Sequence, residues 1–364
     1  MKQSVNFLLS GGGTAGHIYP AVAIANELKK TMPNAKFLFV GAKGKMEMEK
    51  VPEKGYEIIG LNIAGIHRKK PWKNLLLPLK ILQSFWKAFL IVKKFKPTIA
   101  IGTGGYASFP TIYVAKLLGV KTLLQEQNSF PGITNKILAK KADCICVAYD
   151  GLEKFFPKNN ILKTGNPVRQ DLLDTNEKRV QAIEFFNLEP HKKTVLIVGG
   201  SLGAKKINEL IEKNLDWLLE KNLQLIWQTG KNNFEQLKKY QEKSGVHVFD
   251  FIQKMDFAYA ASDYIISRTG GIIAELCIVG KPVILIPSPN VAEDHQTKNA
   301  EALANSNAAL ILKETAFDDF KSMLNNLTLD PKLCSELSRN IKQKATPNAT
   351  KEIAQEINRL INLK

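Results

Sequence analysis

Short apolar runs alternate with longer segments of helical spacing along the first half of the chain. Residues 5–9, 35–40 and 98–101 are apolar runs with the length of buried strands. Residues 21–28, which follow the first run, repeat apolar side chains at helical spacing. Strands that alternate with helices are typical of a parallel sheet covered on both faces. The pattern therefore predicts an α/β fold.

The same alternation starts again in the second half. Residues 194–198 and 223–228 are further strand-like runs, and from about Lys321 the pattern is helical to the end of the chain. Because 364 residues are too many for one ordinary core, two domains are expected. The turn-forming sequence Gly165-Asn166-Pro167 closes the first half and suits a hinge. We therefore predict a first domain in residues 1–165 and a second domain from residue 166.

A glycine-rich loop joins the first predicted strand to the first helix. A strand, a glycine loop and a helix place backbone N–H groups where they can bind an anion. Gly11, Gly13 and Gly16 also satisfy the G-x-G-x-x-G pattern of dinucleotide-binding proteins. That pattern requires an acidic residue at the tip of the second strand, but the strand runs into residues 41–44, which contain none. A tight turn without a ligand remains an alternative, which the titratable ring of His17 makes less attractive.

Later turns have a similar composition. Residues 102–106 and 199–204 place glycines between a strand and a helix. Residues 125–128, Gln-Glu-Gln-Asn, follow another strand, and a merely solvated turn is the alternative there. Because ligands of parallel sheets lie outside the carboxyl ends of the strands, these positions are candidates for a binding site. Two halves that both carry glycine loops suit a ligand with a diphosphate.

Nothing in the sequence suits a bridging metal ion. The chain has no Asp-x-Asp pair, and its four cysteines lack the spacing of a zinc site. We therefore expect no metal cofactor, and helix N-termini together with Arg169 would neutralise phosphate charge. Glu275 cannot serve phosphate, but a carboxylate accepts hydrogen bonds from ribose hydroxyls. Cys144 and Cys146 alternate along a strand and are interpreted as buried free thiols.

The net charge of +17 implies an acidic partner. The one dense basic and aromatic region, residues 65–94, is also the most apolar, which favours an anionic membrane surface over nucleic acid. The chain enters a strand at once without a signal peptide, and its free cysteines suit a reducing cytoplasm.

Residues 74–94 predict a helix that is apolar on two sides. Lysines and Pro78 interrupt it, so we do not expect it to span a membrane. A core helix with lysines along its flank is the alternative. We expect one stripe to pack on the sheet and the other to touch lipid headgroups, with lysines paired to anionic lipid. The predicted membrane patch consists of Leu75, Leu79, Lys80, Leu82, Trp86 and Lys87.

Seven stretches, spread over nearly the whole chain, carry a resemblance to a known family. They are Gly12 to His17, Gly104 to Tyr106, Glu126 to Asn128, Thr134 to Lys136, Gly165 to Arg169, Gly199 to Ala204, and Asp294 to Gln296 with Asn299 and Ala300. In these residues and in their order the chain resembles the MurG family of bacterial glycosyltransferases. That family adds N-acetylglucosamine to lipid I to make lipid II.

The resemblance implies a GT-B fold, with two Rossmann-like parallel-sheet domains facing across a cleft. It places the donor, UDP-N-acetylglucosamine, in the domain of residues 166–341 and returns a helix of residues 342–364 to the first domain. It also implies inversion at the anomeric carbon and a peripheral protein on the cytoplasmic face of the bacterial inner membrane. The loop of residues 268–275 is one residue shorter than the family's usual form.

Roles for individual residues also follow from the resemblance. Ile252 would contact uracil through its backbone, and Glu275 would contact the ribose. Ser201 and Arg169 would bind the diphosphate, and Gln296 the sugar. The donor and acceptor face of the first domain would comprise Thr14, Ala15, Gly16 and Asn128.

Two questions stay open. His17 is the first candidate for the general base because imidazole titrates near neutrality, and Glu126 is the second. Other function classes are another GT-B UDP-sugar enzyme, such as a diacylglycerol glycosyltransferase or a UDP-sugar epimerase, and a non-catalytic basic protein that binds a membrane or nucleic acid.

Overall fold

The computed structural model describes residues 5–65, 77–200, 202–289, 291 and 294–362, without the side chains of Leu77, Gln170, Asn176 and His295. The chain forms two compact units. The first comprises Met1–Arg169 and Asn348–Lys364, and the second comprises Gln170–Pro347.

All strands of both units lie in parallel sheets. Their bounds are β1 Asn6–Gly11, β2 Lys36–Ala42, β3 Glu57–Leu61, β4 Ile99–Gly104, β5 Lys121–Glu126, β6 Cys144–Val147, β7 Ile161–Lys163, β8 Lys193–Val198, β9 Leu223–Gln228, β10 Val246–Phe249, β11 Tyr264–Ser267, β12 Val283–Leu285 and β13 Leu310–Ile311.

Helices connect and cover the strands. Their bounds are α1 Ala15–Thr31, α2 Glu47–Lys50, α3 Leu77–Phe95, α4 Ser108–Leu117, α5 Ile133–Ala139, α6 Arg179–Phe185, α7 Lys205–Glu220, α8 Lys231–Leu237, α9 Met255–Ala261, α10 Ile273–Val279, α11 His295–Ala304, α12 Phe320–Leu329, α13 Pro331–Lys342 and α14 Ala349–Asn362.

The two sheets have the same strand order. The first runs β3-β2-β1-β4-β5-β6-β7 and the second runs β10-β9-β8-β11-β12-β13. Neighbouring strands pair parallel throughout. This is the doubly wound Rossmann order, with a seventh strand added to the first sheet. The predicted α/β fold with two Rossmann-like domains is confirmed, and each sheet has a switch point, between β1 and β4 or between β8 and β11.

The first unit contains the C-terminal helix. The fully buried side chains of Ile353 and Ile357 on α14 belong to the same core cluster as Ile24 and Leu28 on α1. Thr350 donates a hydrogen bond to the Val168 carbonyl at 3.3 Å. The last helix is therefore part of the first unit's core.

The unit boundaries lie a few residues from the positions expected from the sequence. The first unit extends to Arg169 rather than 165, because the Asn166 side chain is hydrogen-bonded to Gln125 and to the Gln127 carbonyl in the first unit. The return to the first unit comes at Asn348 rather than 342. Helix α13, with Leu337 buried in the second unit's core, occupies the residues before it.

Strands β7 and β13 have no counterpart in the sequence-based prediction. Both are edge strands, of three and two residues, and their exposed or half-exposed side chains have no alternating pattern to detect. The helical end of the chain divides into α12, α13 and α14. Asp330 separates the first two, because its carboxylate accepts hydrogen bonds from the N–H groups of Lys332 and Leu333 and caps α13.

Helix α3 lies with one side on the first sheet and the other in solvent. Val92 and Ala88 are buried, whereas Leu79, Leu82 and Trp86 are 64%, 67% and 65% exposed. Among the described residues, no helix combines the length and the apolar character that a bilayer crossing requires.

Candidate active site

The first glycine loop lies against the turn that follows β4. The Gly12 N–H donates to the Gly104 carbonyl at 3.3 Å. A Cβ atom on Gly105, whose φ is +83°, would lie 2.2 Å from the Gly12 carbonyl oxygen. The two turns can approach this closely only because Gly12 and Gly105 have no side chain. Thr14, at the N-cap of α1, is exposed, and Ala15 and Gly16 are partly exposed, so this helix start is accessible.

A buried carboxylate that the sequence analysis missed occupies the inner side of this loop. Glu47 accepts hydrogen bonds from the Gly13 N–H at 3.0 Å and from the Ala42 N–H at 2.9 Å. Its side chain is fully buried, and a Cβ atom on Gly12 would lie 2.2 Å from its Oε1. Burial and then the Glu47 charge raise the pKa of Tyr106. One loop N–H that could bind a phosphate is therefore engaged by the protein itself.

His17 projects from the first turn of α1 toward β4 and β5. Its Nδ1 lies 2.9 Å from the Thr103 carbonyl oxygen and 3.1 Å from Oε1 of Gln127. The Thr103 hydroxyl donates back to the His17 carbonyl at 2.7 Å. The ring is partly exposed and is fixed by two neighbouring strands, as a group that acts on a substrate must be.

Glu126, the second candidate for the general base, is 1% exposed and holds its own loop together. Its Oε1 accepts from the N–H and the side-chain amide of Asn128, at 3.0 and 3.1 Å. Its Oε2 accepts from Asn135 Nδ2 at 2.8 Å and from the Gly132 N–H at 3.3 Å. A carboxylate with four donors is suited to shaping a loop. Asn128, which Glu126 holds, is partly exposed.

Arg169 is the last residue of the first unit. Its guanidinium carbon lies 5.5 Å from the centre of the Tyr19 ring on α1, within the range of a cation–π interaction. The side chain is therefore placed beside the helix that carries His17.

The second unit has its own glycine loop after β8. The Gly203 N–H donates to the Gly200 carbonyl at 3.0 Å. A Cβ atom on Gly203 would lie 2.0 Å from the Thr229 carbonyl, so only glycine fits there. Ser201, the residue expected to bind the diphosphate, lies outside the described residues, as does Leu75 of the membrane patch.

Gln228 connects this glycine loop to the segment that follows β10. Its side chain is 3% exposed at the end of β9. It donates to the Gly200 carbonyl at 3.0 Å and accepts from the Ile252 N–H at 2.9 Å. The backbone of Ile252 is thus fixed relative to the loop, and its N–H group is already engaged.

Glu275 lies in the first turn of α10, after β11. The hydroxyl of Tyr259, which is fully buried, donates to Oε2 of Glu275 at 2.9 Å. The carboxylate is partly exposed, and the hydrogen bond from Tyr259 fixes its orientation. The sequence analysis did not identify this tyrosine.

Gln296, in the first turn of α11, joins two loops at the carboxyl edge of the second sheet. Its Oε1 accepts from the Ser288 N–H at 2.9 Å, and its carbonyl accepts from the Thr269 hydroxyl at 2.7 Å. The neighbouring Arg268 pairs with Glu314 at 2.6 Å, with both side chains largely buried. These contacts fix the short loop that follows β11.

Side chains that could bind a metal ion do not cluster in the described residues. Within the part of the chain that the structure describes, no three or more His, Cys, Asp or Glu side chains group as metal ligands. Cys144 and Cys146 are buried free thiols, as the sequence predicted.

The described site residues fall into one set in each unit. The first unit brings together Thr14, Ala15, Gly16, His17, Glu126, Asn128 and Arg169. The second unit places Ile252, Glu275 and Gln296 after the carboxyl ends of β10, β11 and β12. In both sheets the residues predicted from sequence lie at the edge where doubly wound folds bind ligands.

Known proteins resemble the chain over its whole length. A transferase of Flavobacterium psychrophilum, named UDP-N-acetylglucosamine–N-acetylmuramyl-(pentapeptide) pyrophosphoryl-undecaprenol N-acetylglucosamine transferase, is 57% identical over 361 residues, which are 99% of this chain and 98% of that protein. The protein of the same name from Bacteroides thetaiotaomicron is 51% identical over 367 residues, 99% of each chain.

Solved structures agree on the fold. The crystal structure of Acinetobacter baumannii MurG has a TM-score of 0.72 and 26% identity, and covers 98% of this chain and 100% of its own. The UDP-GlcNAc 2-epimerase of Neisseria meningitidis, bound to UDP-GlcNAc, has a TM-score of 0.71 with 16% identity over 98% of this chain and 100% of its own, and shows the GT-B fold alone.

Two family models match consecutive parts of the chain. Residues 7–147 match the glycosyltransferase family 28 N-terminal domain, and residues 194–357 match its C-terminal domain. The first match lies within the first unit, and the second covers most of the second unit and continues into helix α14. The chain therefore belongs to glycosyltransferase family 28.

Proposed function

We propose that this protein transfers N-acetylglucosamine from UDP-N-acetylglucosamine to lipid I, undecaprenyl-diphospho-N-acetylmuramoyl-pentapeptide, and so forms lipid II for peptidoglycan synthesis. The observation that carries this proposal is the 57% identity to a transferase of that name over 99% of the chain. His17 in the first turn of α1, Ile252 after β10 and Glu275 in the first turn of α10 supply the groups that such a transfer needs.

The reaction is a single displacement with inversion. The C4 hydroxyl of the muramyl sugar attacks the anomeric carbon, the bond to the diphosphate breaks, and UDP leaves with its electron pair. His17 takes the hydroxyl proton on Nε2, because its Nδ1 faces the Thr103 carbonyl and Gln127 Oε1, which are both acceptors. No metal is needed if helix N-termini, Ser201 and Arg169 neutralise the charge on the departing UDP.

The second unit holds the donor. Since the Ile252 N–H donates to Gln228, a uracil contact at this residue uses the Ile252 carbonyl, which accepts from N3–H of the base. Glu275 accepts from the ribose hydroxyls, and Gln296 lies by the sugar. In the first unit Thr14, Ala15, Gly16 and Asn128 form the face toward the donor and the acceptor.

The enzyme works on a membrane surface, as a peripheral protein on the cytoplasmic side of the bacterial inner membrane. Helix α3 supports this, because Leu79, Leu82 and Trp86 expose large apolar side chains on a chain with a net charge of +17. Lys87 of the predicted patch also has a contact within the first unit. Its ammonium donates to the Gly60 carbonyl at 2.8 Å, and burial, followed by the Lys43 charge, lowers its pKa.

Labelled UDP-N-acetylglucosamine tests the proposed reaction. Purified protein is incubated with the labelled donor and lipid I, with diacylglycerol, or without an acceptor. Label should pass to lipid I and to no other lipid. Conversion of the donor itself without an acceptor would instead identify a UDP-sugar epimerase, and label on diacylglycerol would identify a different glycosyltransferase. Binding of duplex DNA without any donor turnover would favour the non-catalytic alternative.

A further inference from the structure

Three buried amide side chains form a hydrogen-bonded series that ends at His17. They belong to Asn166, which precedes the boundary of the first unit, and to Gln125 and Gln127 at the end of β5. Their exposed fractions are 6%, 0% and 3%. Glutamines and asparagines that are buried this completely must be hydrogen-bonded, and here they bond to one another.

Backbone carbonyls fix the orientation of two of these amides. Asn166 Nδ2 donates to the Gln127 carbonyl at 3.0 Å, so Asn166 Oδ1 is the end that accepts from Gln125 Nε2, also at 3.0 Å. Gln127 Nε2 donates to the Thr103 carbonyl at 2.7 Å and contacts Oε1 of Gln125. A reversed amide would place two donors or two acceptors together.

The direction of the hydrogen bonds among these amides decides which ring nitrogen of His17 carries the proton. Gln127 Oε1 and the Thr103 carbonyl oxygen lie 3.1 and 2.9 Å from Nδ1 of His17, and both are acceptors. Nδ1 must therefore carry a proton, which leaves the lone pair of the neutral ring on Nε2.

We propose that Gln127 is a positioning residue that, held by Gln125 and Asn166, fixes His17 as the Nδ1–H tautomer and stabilises its imidazolium form. When Nε2 takes a proton, the positive charge is shared with Nδ1–H, which points at the Gln127 and Thr103 oxygens. The role in catalysis rests on the proposed function, but the tautomer does not.

Three charged side chains of the first unit's candidate site have partners other than His17. Strands β1 and β4, which pack on α1, contain no titratable side chain. Glu47 of α2 binds the N–H groups of Gly13 and Ala42, Glu126 of β5 binds its own loop, and Arg169 lies over Tyr19. The remaining charged side chains on the helices packed against α1 are Glu49, Lys50, Lys351, Glu352, Glu356 and Arg359. A charge introduced at residue 127 would be in hydrogen-bond contact with the ring.

Nitrogen NMR of the histidine ring in the whole protein tests the tautomer directly. The signals of His17 are assigned among the five histidines by their loss in His17→Gln. At a pH where the ring is neutral, Nδ1 should give the signal of a protonated nitrogen and Nε2 that of an unprotonated one. The opposite assignment overturns the proposal, whatever the activity of the enzyme.

Two substitutions at residue 127 then test its effect on the ring. Gln127→Glu retains an acceptor beside Nδ1–H and adds a negative charge, so it should raise the pKa of His17 by about 1. Gln127→Met removes the acceptor and should lower that pKa. Gln181→Glu, at an exposed position on α6 in the second unit, is the control for an added charge and should leave the pKa of His17 unchanged. Equal pKa values in wild type, Gln127→Glu and Gln127→Met overturn the proposal.

The pH dependence of kcat separates this inference from the assignment of the base. A base must be unprotonated, so the acidic limb should move to higher pH in Gln127→Glu and to lower pH in Gln127→Met, with KM for UDP-N-acetylglucosamine unchanged. If the pKa of His17 moves as predicted and the acidic limb does not, Gln127 still positions the ring, but His17 is not the base. If Gln127→Glu does not fold, Gln127→Met and the wild-type tautomer still decide the question.

Discussion

At the scale of single residues, Glu47 and Glu126 of the first unit have contacts unlike those of His17. Glu47 and Glu126 are both buried and accept from backbone N–H groups of their loops. His17 is partly exposed, and its Nε2 is the nitrogen left to take a proton. The two acids therefore hold the loops that lie beside His17.

His17→Ala and Glu126→Gln should fail in different ways. Loss of a general base lowers the rate by about 10²- to 10⁴-fold, so His17→Ala should lose kcat by that factor while it remains folded with a KM for the donor near wild type. Glu126→Gln replaces one acceptor oxygen by an NH₂ group among four donors, so the melting temperature should fall. Near-normal turnover of His17→Ala, or loss of kcat at an unchanged melting temperature in Glu126→Gln, would transfer the role of base to Glu126.

Tyr259→Phe should weaken donor binding through Glu275. A hydrogen bond to a charged group contributes about 1.5 kcal/mol, so KM for UDP-N-acetylglucosamine should rise roughly tenfold with little change in kcat. The 2′-deoxyribose analogue of UDP serves as the control. If Glu275 contacts the ribose 2′-hydroxyl, the analogue binds wild type weakly. Tyr259→Phe then reduces the affinity for the analogue less than it reduces the affinity for UDP. An equal loss for both nucleotides, measured by calorimetry, would remove Tyr259 from ribose recognition.

The candidate site residues that the sequence pointed to stand in glycine-rich turns or at strand ends. His17 and Glu126 are the described examples. The residues that could not be predicted act across the fold. Glu47 lies in an ordinary polar segment and reaches the first glycine loop only after β1 and β2 pair, and Tyr259 reaches Glu275 from another helix.

At the scale of elements, the glycine turns impose the tightest local constraints. Gly105 and Gly119 have φ values of +83° and +78°, but only Gly105 has a neighbour that a Cβ atom would strike. The strain of a positive φ is common to both positions, and the collision is added only at Gly105.

Gly105→Ala should therefore be much more damaging than Gly119→Ala. A side chain in the left-handed region costs about 1–2 kcal/mol, which is the whole expected effect at Gly119. At Gly105 the collision with the Gly12 carbonyl should also displace the first glycine loop and lower kcat. Denaturant unfolding and steady-state rates of both variants measure this. Similar stability and kcat for the two variants would show that the contact between Gly105 and Gly12 does not constrain the two turns.

Helix α3 should attach the protein to anionic vesicles. Replacement of both Leu82 and Trp86 by serine removes two side chains that are 67% and 65% exposed, so the folded protein should be stable but bind vesicles at least tenfold more weakly. Leu329→Ser is the matched control, since Leu329 is 73% exposed on α12 in the second unit. Lys80→Glu should weaken binding further, and turnover of a soluble short-chain acceptor should survive. Unchanged sedimentation with vesicles would exclude this surface.

The long strands were predictable because they are apolar runs between turn residues. The edge strands β7 and β13 were not predictable, because strands of two or three residues are too short to show a periodic pattern of apolar side chains. Helix α3 was predictable as an element with two apolar stripes, but the hydrogen bond between Lys87 and the Gly60 carbonyl was not, because it depends on where β3 lies beside the helix.

At the scale of the whole molecule, the same strand order occurs twice, and the glycine loops of the two units have different contacts. Each Rossmann-like unit has a glycine loop after its first strand. In the first unit Glu47 engages the Gly13 N–H, which makes that loop a poor site for another anion. The second unit has Gln228 in the corresponding region, a neutral side chain that joins Gly200 to Ile252. This difference supports donor binding in the second unit and catalysis from the first.

A crystal structure with UDP-N-acetylglucosamine tests this division of roles most directly. The account predicts uracil N3–H on the Ile252 carbonyl, ribose hydroxyls on Glu275, and the diphosphate at the loop of residues 199–203. Glu47 should keep its hydrogen bonds to Gly13 and Ala42. A nucleotide bound instead at Gly13, with the Glu47 carboxylate displaced, would contradict it.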